Sequence, residues 1–326
     1  YYSSAPTGWG GAVIGDCIPV MGGYCDSPWE RTTEKLPPCT NYVITHERDD
    51  HMIGKGIDVG SAESYDYRKY PFLTAELGGG MCLNYDRRPI ALASDIGAVI
   101  LTKLASGCNL LGFYMYAGGI NPKGETTYLN ETKESGSWCD LPEFDYDFQA
   151  SIGSYGQISE TFKEIKLYTM FIKDFGEQLC DMETYIDGVT LKDVMGDKKD
   201  DYIHKEPDNL SDLRYSYRHN GESGFLFLNN YVREYHMSSH KNTEIKIKLD
   251  GKDVVFDNLC IDDKDYFFYP FNIKVGDLTI EKVNATPLCI LKNTDNYSDV
   301  VVFYGDKEPE FDVIDGYDTD YYFINR

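Results

Sequence analysis

Tyr70-Pro-Phe-Leu-Thr-Ala-Glu76-Leu-Gly-Gly-Gly80 is the stretch on which the rest of the chain turns. Its first part is a short apolar β-run of the kind that suits a strand buried on both faces. One carboxylate, Glu76, closes the run, and three consecutive glycines follow. Glycines let the backbone turn sharply and lie close to whatever sits beside that carboxylate. A buried strand delivering an acid at its C-terminal end is how (β/α)8 barrels present catalytic groups. The same residues also fit an ordinary carboxylate at a strand end, solvated or paired with Arg87 or Arg88.

Working outward, Ser94 to Ser106 carries apolar residues at Ile96, Val99, Ile100 and Leu104 and stops at Gly107, which predicts an amphipathic helix. Asn109 to Tyr116 is again an apolar run, closed by Ala117-Gly118-Gly119. Strand, helix, strand is the grammar of a parallel sheet. Ser159 is placed to cap a helix running to Phe175, with Phe162, Ile165, Tyr168 and Ile172 on one face and Gly176 ending it. Upstream, Tyr1 to Trp9 begins as a short strand, and Trp9 and Trp29 flank a long loop rich in Gly, Pro and Cys. These tryptophans suit either anchoring of that loop or stacking on a substrate. After Gly176 the pattern changes to short alternating runs: Leu213–His219 and Glu222–Tyr231 around a tight Asn220-Gly221 turn, then Glu244–Leu249, Tyr266–Phe271, Leu278–Val283, Pro287–Leu291 and Val300–Tyr304. No helix is needed there.

The expected architecture is therefore α/β plus all-β: a partial (β/α)8 TIM barrel over residues 1–178, followed by an antiparallel, sandwich-like β domain over 179–326. Three barrel strands are legible, at residues 1–5, 70–76 and 110–116, where a closed barrel needs eight. The chain thus reads as the last third of a barrel, beginning in mid-domain.

Composition narrows the function. With 54 acidic against 31 basic residues the net charge is −23, which argues against nucleic acid or an anionic membrane surface as the main partner. No apolar run reaches the length of a membrane span. The 27 tyrosines suit sugar-face stacking and β-rich packing equally. The nine cysteines are scattered, without CxxC or Cys/His ligand spacing, so no zinc site is expected and the thiols read as reduced, in a cytoplasmic compartment. His46, His51, His236 and His240 form no pair at ligand spacing, which disfavours a metal-dependent hydrolase. No cofactor is expected.

Three motifs then fall together in order: Pro71-Phe-Leu-Thr-Ala-Glu76-Leu-Gly-Gly-Gly-Met81 with Arg87-Arg88-Pro89 behind it; Asn109-Leu-Leu-Gly-Phe-Tyr114-Met-Tyr-Ala-Gly-Gly119-Ile-Asn121; and Phe144-Asp-Tyr146-Asp147-Phe-Gln-Ala150 followed by Tyr155-Gly156. Together they resemble the C-terminal part of the barrel of glycoside hydrolase family 35, the retaining β-galactosidases. Thr7-Gly-Trp-Gly-Gly11, Gly22-Gly-Tyr24 and Pro28-Trp29 look like bacterial members, and Gly224–Asn230 with Tyr269-Pro-Phe-Asn272 resembles the β domain that follows. The resemblance implies that Glu76 is the nucleophile and that Tyr114 and Tyr146 contact the galactosyl unit of a galactoside or oligosaccharide substrate. Asp145 and Asp147 then hold the surroundings of Tyr146. Two departures stand out: the family's Gly-Gly-Thr-Asn reads Gly-Gly-Ile120-Asn121, and Leu77 and glycines follow Glu76 where many members carry aromatics. The family's acid/base motif, Asn-Glu-x-Tyr-Gly, is not in this sequence. A retaining mechanism needs both carboxylates, ~5–5.5 Å apart, so no turnover is expected from this chain by itself. The alternative is a non-catalytic carbohydrate-binding or structural protein on a degenerate barrel.

Overall fold

The computed structural model describes residues 4–6, 18–27, 30–46, 70–84, 86–125, 144–196, 205–275, 278–292, 299–306 and 308–313. Trp9, Trp29, His51 and the polar run 58–68 lie outside them. The described fold is mixed and mostly β, with three helices and no closed barrel among the described residues.

The N-terminal half is a parallel layer. β1 (Ser4–Pro6), β2 (Ile18–Gly23) and β3 (Thr74–Leu77) pair in that order, all parallel, with Met21 opposite Thr74 and Gly22 opposite Glu76. β2 corrects the sequence reading, which placed Ile18–Gly23 inside a loop. Its proline and paired glycines mask an apolar run that becomes a strand because both of its edges are paired. Residues 110–116 continue the layer through isolated parallel bridges from Leu110 to Leu73 and from Phe113 to Leu77. They form no regular strand, although a continuous one was expected. Ala75 is exposed, so β3 is not covered on both faces along its whole length.

Two helices follow and pack on each other. α1 (Ala93–Ala105) begins where the Asp95 carboxylate accepts the Leu92 amide (2.9 Å) and ends in a Schellman turn at Gly107, φ +96°. There the Gly107 amide donates to Leu104 O and the Cys108 amide to Lys103 O. α2 (Glu160–Cys180) runs one turn beyond the stop expected at Gly176. Phe175 and Leu179 are both buried, and their burial outweighs the ~1 kcal/mol a helical glycine costs. Ser159 does occupy the N-cap position, but its hydroxyl donates to Ser151 O (3.1 Å) instead of accepting an amide.

Between the helices lie two short strands, β4 (Gly119–Ile120) and β5 (Asp145–Tyr146), paired antiparallel. Beyond α2 come β6 (Glu183–Ile186), β7 (Val189–Thr190), a one-turn helix α3 (Leu191–Val194), β8 (Arg214–His219), β9 (Gly224–Asn229), β10 (His240–Ile247), β11 (Val254–Ile261), β12 (Tyr266–Val275), β13 (Leu278–Val283), β14 (Thr286–Lys292), β15 (Asp299–Tyr304) and β16 (Phe311–Val313). Seven of them form one antiparallel sheet in the order β16-β13-β12-β9-β8-β6-β7. The β8–β9 hairpin forms where expected, but its loop has four residues, not two. Asn220 Oδ1 accepts the amides of Glu222 and Ser223, and only Gly221 takes a positive φ.

The pleat of β9 shows how the layers stack. Phe225 and Phe227 point to α1 and α2, with Phe171 and Phe175 of α2 against Phe225, while Leu226 and Leu228 point the other way onto the β10–β11 ribbon. β9 is thus buried on both faces. β8 alternates likewise, and its helix-facing residues are polar. Arg214 donates to Tyr42 O (3.0 Å), Ser216 to Ala105 O (2.6 Å) and Arg218 to Leu104 O (3.3 Å).

One half-buried acid gives a pH test. Glu164 of α2 accepts from Tyr266 Oη (3.0 Å), and burial raises its carboxyl above the usual range despite that bond. The folded state therefore holds this proton more tightly than the unfolded chain. Its contribution is fully present below the ordinary carboxylate pKa and is lost as pH rises through the raised one. Glu164→Gln is expected to leave Tm unchanged at acidic pH and to raise it by about 2 °C near neutrality. Melting curves across that range check this.

Candidate functional site

Glu76 is the next-to-last residue of β3 and is half-buried. The register that places Gly22 opposite Glu76 brings Tyr24, just beyond β2, alongside it. Tyr24 Oη donates to Glu76 Oε1 at 2.9 Å. Burial, and after it the charge of Glu76, push the Tyr24 phenol well above its ordinary pKa, so it remains a proton donor. Tyr114 and Tyr146 meet directly, with hydroxyls 2.6 Å apart and rings edge-on at 6.5 Å. Phe148 packs on both, at 5.4 and 5.1 Å. The two tyrosines expected at the site therefore come together, and Tyr24 holds the expected carboxylate.

The three glycines after Glu76 are required by contact, not by unusual dihedral angles. A Cβ on Gly78 would lie 2.6 Å from the Tyr24 ring and one on Gly79 2.5 Å from Met115 O; one on Gly80 would strike the carbonyls of Phe148 and Gln149. The loop is thus pressed under Tyr24, under the cis peptide between Tyr114 and Met115, and under the left-handed pair Phe148 and Gln149. Gln149 ties the same loop down from the side, its Nε2 donating to Met81 O (3.0 Å) and Pro89 O (2.8 Å).

Asp145 and Asp147 brace this arrangement. Asp147 accepts the amides of Gln149 (2.7 Å) and Ser154 (3.2 Å), and Asp145 accepts the Ser154 hydroxyl. Arg87, a possible partner of Glu76 on sequence grounds, instead pairs with Asp26 (3.3 Å) and donates to the carbonyls of Thr32 and Glu34. Asp26 also faces Arg233, which pairs with the buried Asp95 (2.9 Å).

Two cavities lie elsewhere, one of about 460 Å³ beside Asn272 and Glu281 and one of about 570 Å³ beside Arg88 and Ile90. Neither is lined by Glu76. Among the described residues no group of three or more His, Cys, Asp or Glu could hold a metal ion, and no helix is long and apolar enough to cross a membrane. The cysteines described are unbonded thiols, most of them buried.

Sequence reading missed Tyr24 as a site residue. The signal was present: Ile18-Pro-Val-Met-Gly-Gly-Tyr24 is an apolar run ending in glycine and a polar group, as at Glu76. No protein-family model matches this chain, and no curated protein matches it.

Proposed function

We propose that this chain carries the nucleophile side of a retaining β-galactosidase-type glycoside hydrolase, its parallel layer being part of a (β/α)8 barrel. The observation that supports the reading most is Glu76 near the C-terminal end of a parallel strand, held by Tyr24, with the backbone of Tyr114, whose hydroxyl meets that of Tyr146, bonded to Leu77 and Gly79 just after it. In this mechanism a Glu76 oxygen attacks the anomeric carbon as the bond to the leaving group breaks, and water later releases the sugar. By engaging one carboxylate oxygen, Tyr24 orients the other for attack. Tyr114 and Tyr146 offer hydroxyls to the sugar, and Phe148 backs their rings. Asp145 and Asp147 are taken up by Ser154 and Gln149, so the general acid is a residue other than these.

The test separates the nucleophile from the acid. A dinitrophenyl glycoside of 2-fluoro-galactose expels a leaving group that needs no protonation, and its fluorine slows release of the covalent sugar. Incubation followed by peptide mass spectrometry is expected to find one fluoro-galactosyl group, on Glu76. Labelling of another carboxylate overturns the assignment. A chain that binds galactose but takes no label is a sugar-binding protein on the same layer.

A further inference from the structure

The cavity of about 460 Å³ lies on the β half of the molecule, and none of the residues of the Glu76 site lines it. Its size falls in the range of small-molecule pockets, roughly 300–1,000 Å³. Four pieces of chain converge on it: the last turn of α2, the β8–β9 turn, the residues entering β11, and the paired ends of β12 and β13. Two contacts fix its walls. Lys252 pairs with Glu281 at 2.5 Å, and Asn272, left-handed at φ +50°, donates its Nδ2 to Glu222 O at 2.8 Å.

Other polar groups around the cavity are uncommitted. Lys274 lies directly opposite Thr279, so their side chains share one face of the sheet. The Lys274 ammonium, the Thr279 hydroxyl, the Gln178 amide and the Glu222 carboxylate make no hydrogen bond or ion pair among the described residues. Gln178, Glu222 and Lys274 are exposed, so a ligand arriving from solvent can reach them. Donors and acceptors are thus interleaved around one opening. The charges in it balance, Lys252 and Lys274 against Glu222 and Glu281, in a chain whose net charge is −23. Val254 and the methylene stems of the two lysines give the same cavity an apolar part.

We propose that this cavity is a carbohydrate site separate from Glu76, taking one hexose unit of a neutral sugar. Each sugar hydroxyl both donates and accepts, which matches a rim where ammonium and amide donors alternate with carboxylate acceptors. The C–H groups of the ring pack on Val254 and the lysine stems. An anion is disfavoured by the two carboxylates, which offset both ammonium groups. A wholly apolar ligand would cover Lys274 and Glu222 without giving them partners, at a desolvation cost. A peptide added as a strand has no free edge to pair with here, because β12 lies between β9 and β13, and β13 between β12 and β16. The inference does not rest on the glycosidase reading, since it concerns other residues on other elements.

The test is a titration of the whole chain followed by two-dimensional amide NMR, with galactose, glucose and lactose as probes and sodium acetate as the anionic control. The amides of Gln178, Ser223 and Thr279 are expected to shift with at least one sugar and to saturate with a Kd on the order of 1 mM. Gln178→Ala should weaken that Kd about fivefold and Lys274→Ala about tenfold or more, a hydrogen bond to a charged group being the stronger. Both side chains are exposed and hold nothing in the fold, so the remaining resonances should stay in place. Three results overturn the site: no shift with any of the sugars at ~50 mM, well above that Kd; shifts that survive both substitutions; or shifts confined to the neighbourhood of Tyr24 and Glu76. Acetate moving the same amides at lower concentration than the sugars overturns it too, in favour of an anion site.

Discussion

Replacing Arg218 by leucine is expected to destabilise the fold by roughly 3–5 kcal/mol, a large share of the stability of an ordinary domain. Its guanidinium is almost wholly buried and lies where three elements meet. Nη1 donates to Leu104 O (3.3 Å) and Cys108 O (3.1 Å), and Nη2 donates to Leu179 O (2.7 Å) and Asn109 Oδ1 (2.6 Å). Leu104 and Leu179 are in the last turns of α1 and α2, whose terminal carbonyls carry the negative ends of both helix dipoles. One cation on β8 thus satisfies the ends of two helices at once. Burial lowers its pKa only to about 10, so it is charged at neutral pH. Leucine fills part of the space but takes the donor from Cys108 O and Asn109 Oδ1 and leaves Leu104 O and Leu179 O with only the amides of Gly107 and Met182, the costly half of breaking a buried polar contact. Urea denaturation with an unchanged m-value is the measurement. Arg218→Lys should recover less than half of the loss, since one ammonium cannot reach both helix ends in the fork geometry. A loss under about 1 kcal/mol would show that water replaces the guanidinium.

Glu76→Gln should lower the rate of covalent labelling by the fluoro-galactoside by at least about 10³-fold while leaving the melting temperature nearly unchanged. Glutamine keeps the shape and can still accept from Tyr24, but its amide oxygen is a poor nucleophile. Tyr24→Phe is a graded companion. It removes a hydrogen bond to a charged group, worth about 1.5–3 kcal/mol, and should slow labelling without abolishing it, because the carboxylate stays while its orientation is loosened. Equal labelling rates in the parent chain and in Glu76→Gln would place the nucleophile elsewhere.

Local pattern carried much of the fold. The amphipathic spacing of α1 and α2, the Gly107 stop, and the runs that become β8, β9, β10 and β12 to β15 are properties of neighbouring residues, and each appears within a few positions of where the sequence puts it; β11 was not read from the sequence. At the site, Glu76 at a strand end and the tyrosines of two spaced motifs could be named from the chain alone.

What the sequence could not convey depends on partners distant along it. Ile18–Gly23 carries a proline and two glycines, and only pairing on both edges makes it the middle strand of the parallel layer. Tyr24 acquires a role only because that register sets it against Glu76, 52 positions away. In Arg214-Tyr-Ser-Tyr-Arg218 the alternation alone would turn the polar residues to water. The structure turns them inward, because the carbonyls at the ends of two helices and of the turn at Tyr42 need donors there. Periodicity along a chain records which residues share a face. Which face is buried, and what lies against it, is decided by tertiary packing, since only then is the hydrogen-bonding demand of the opposing surface in place.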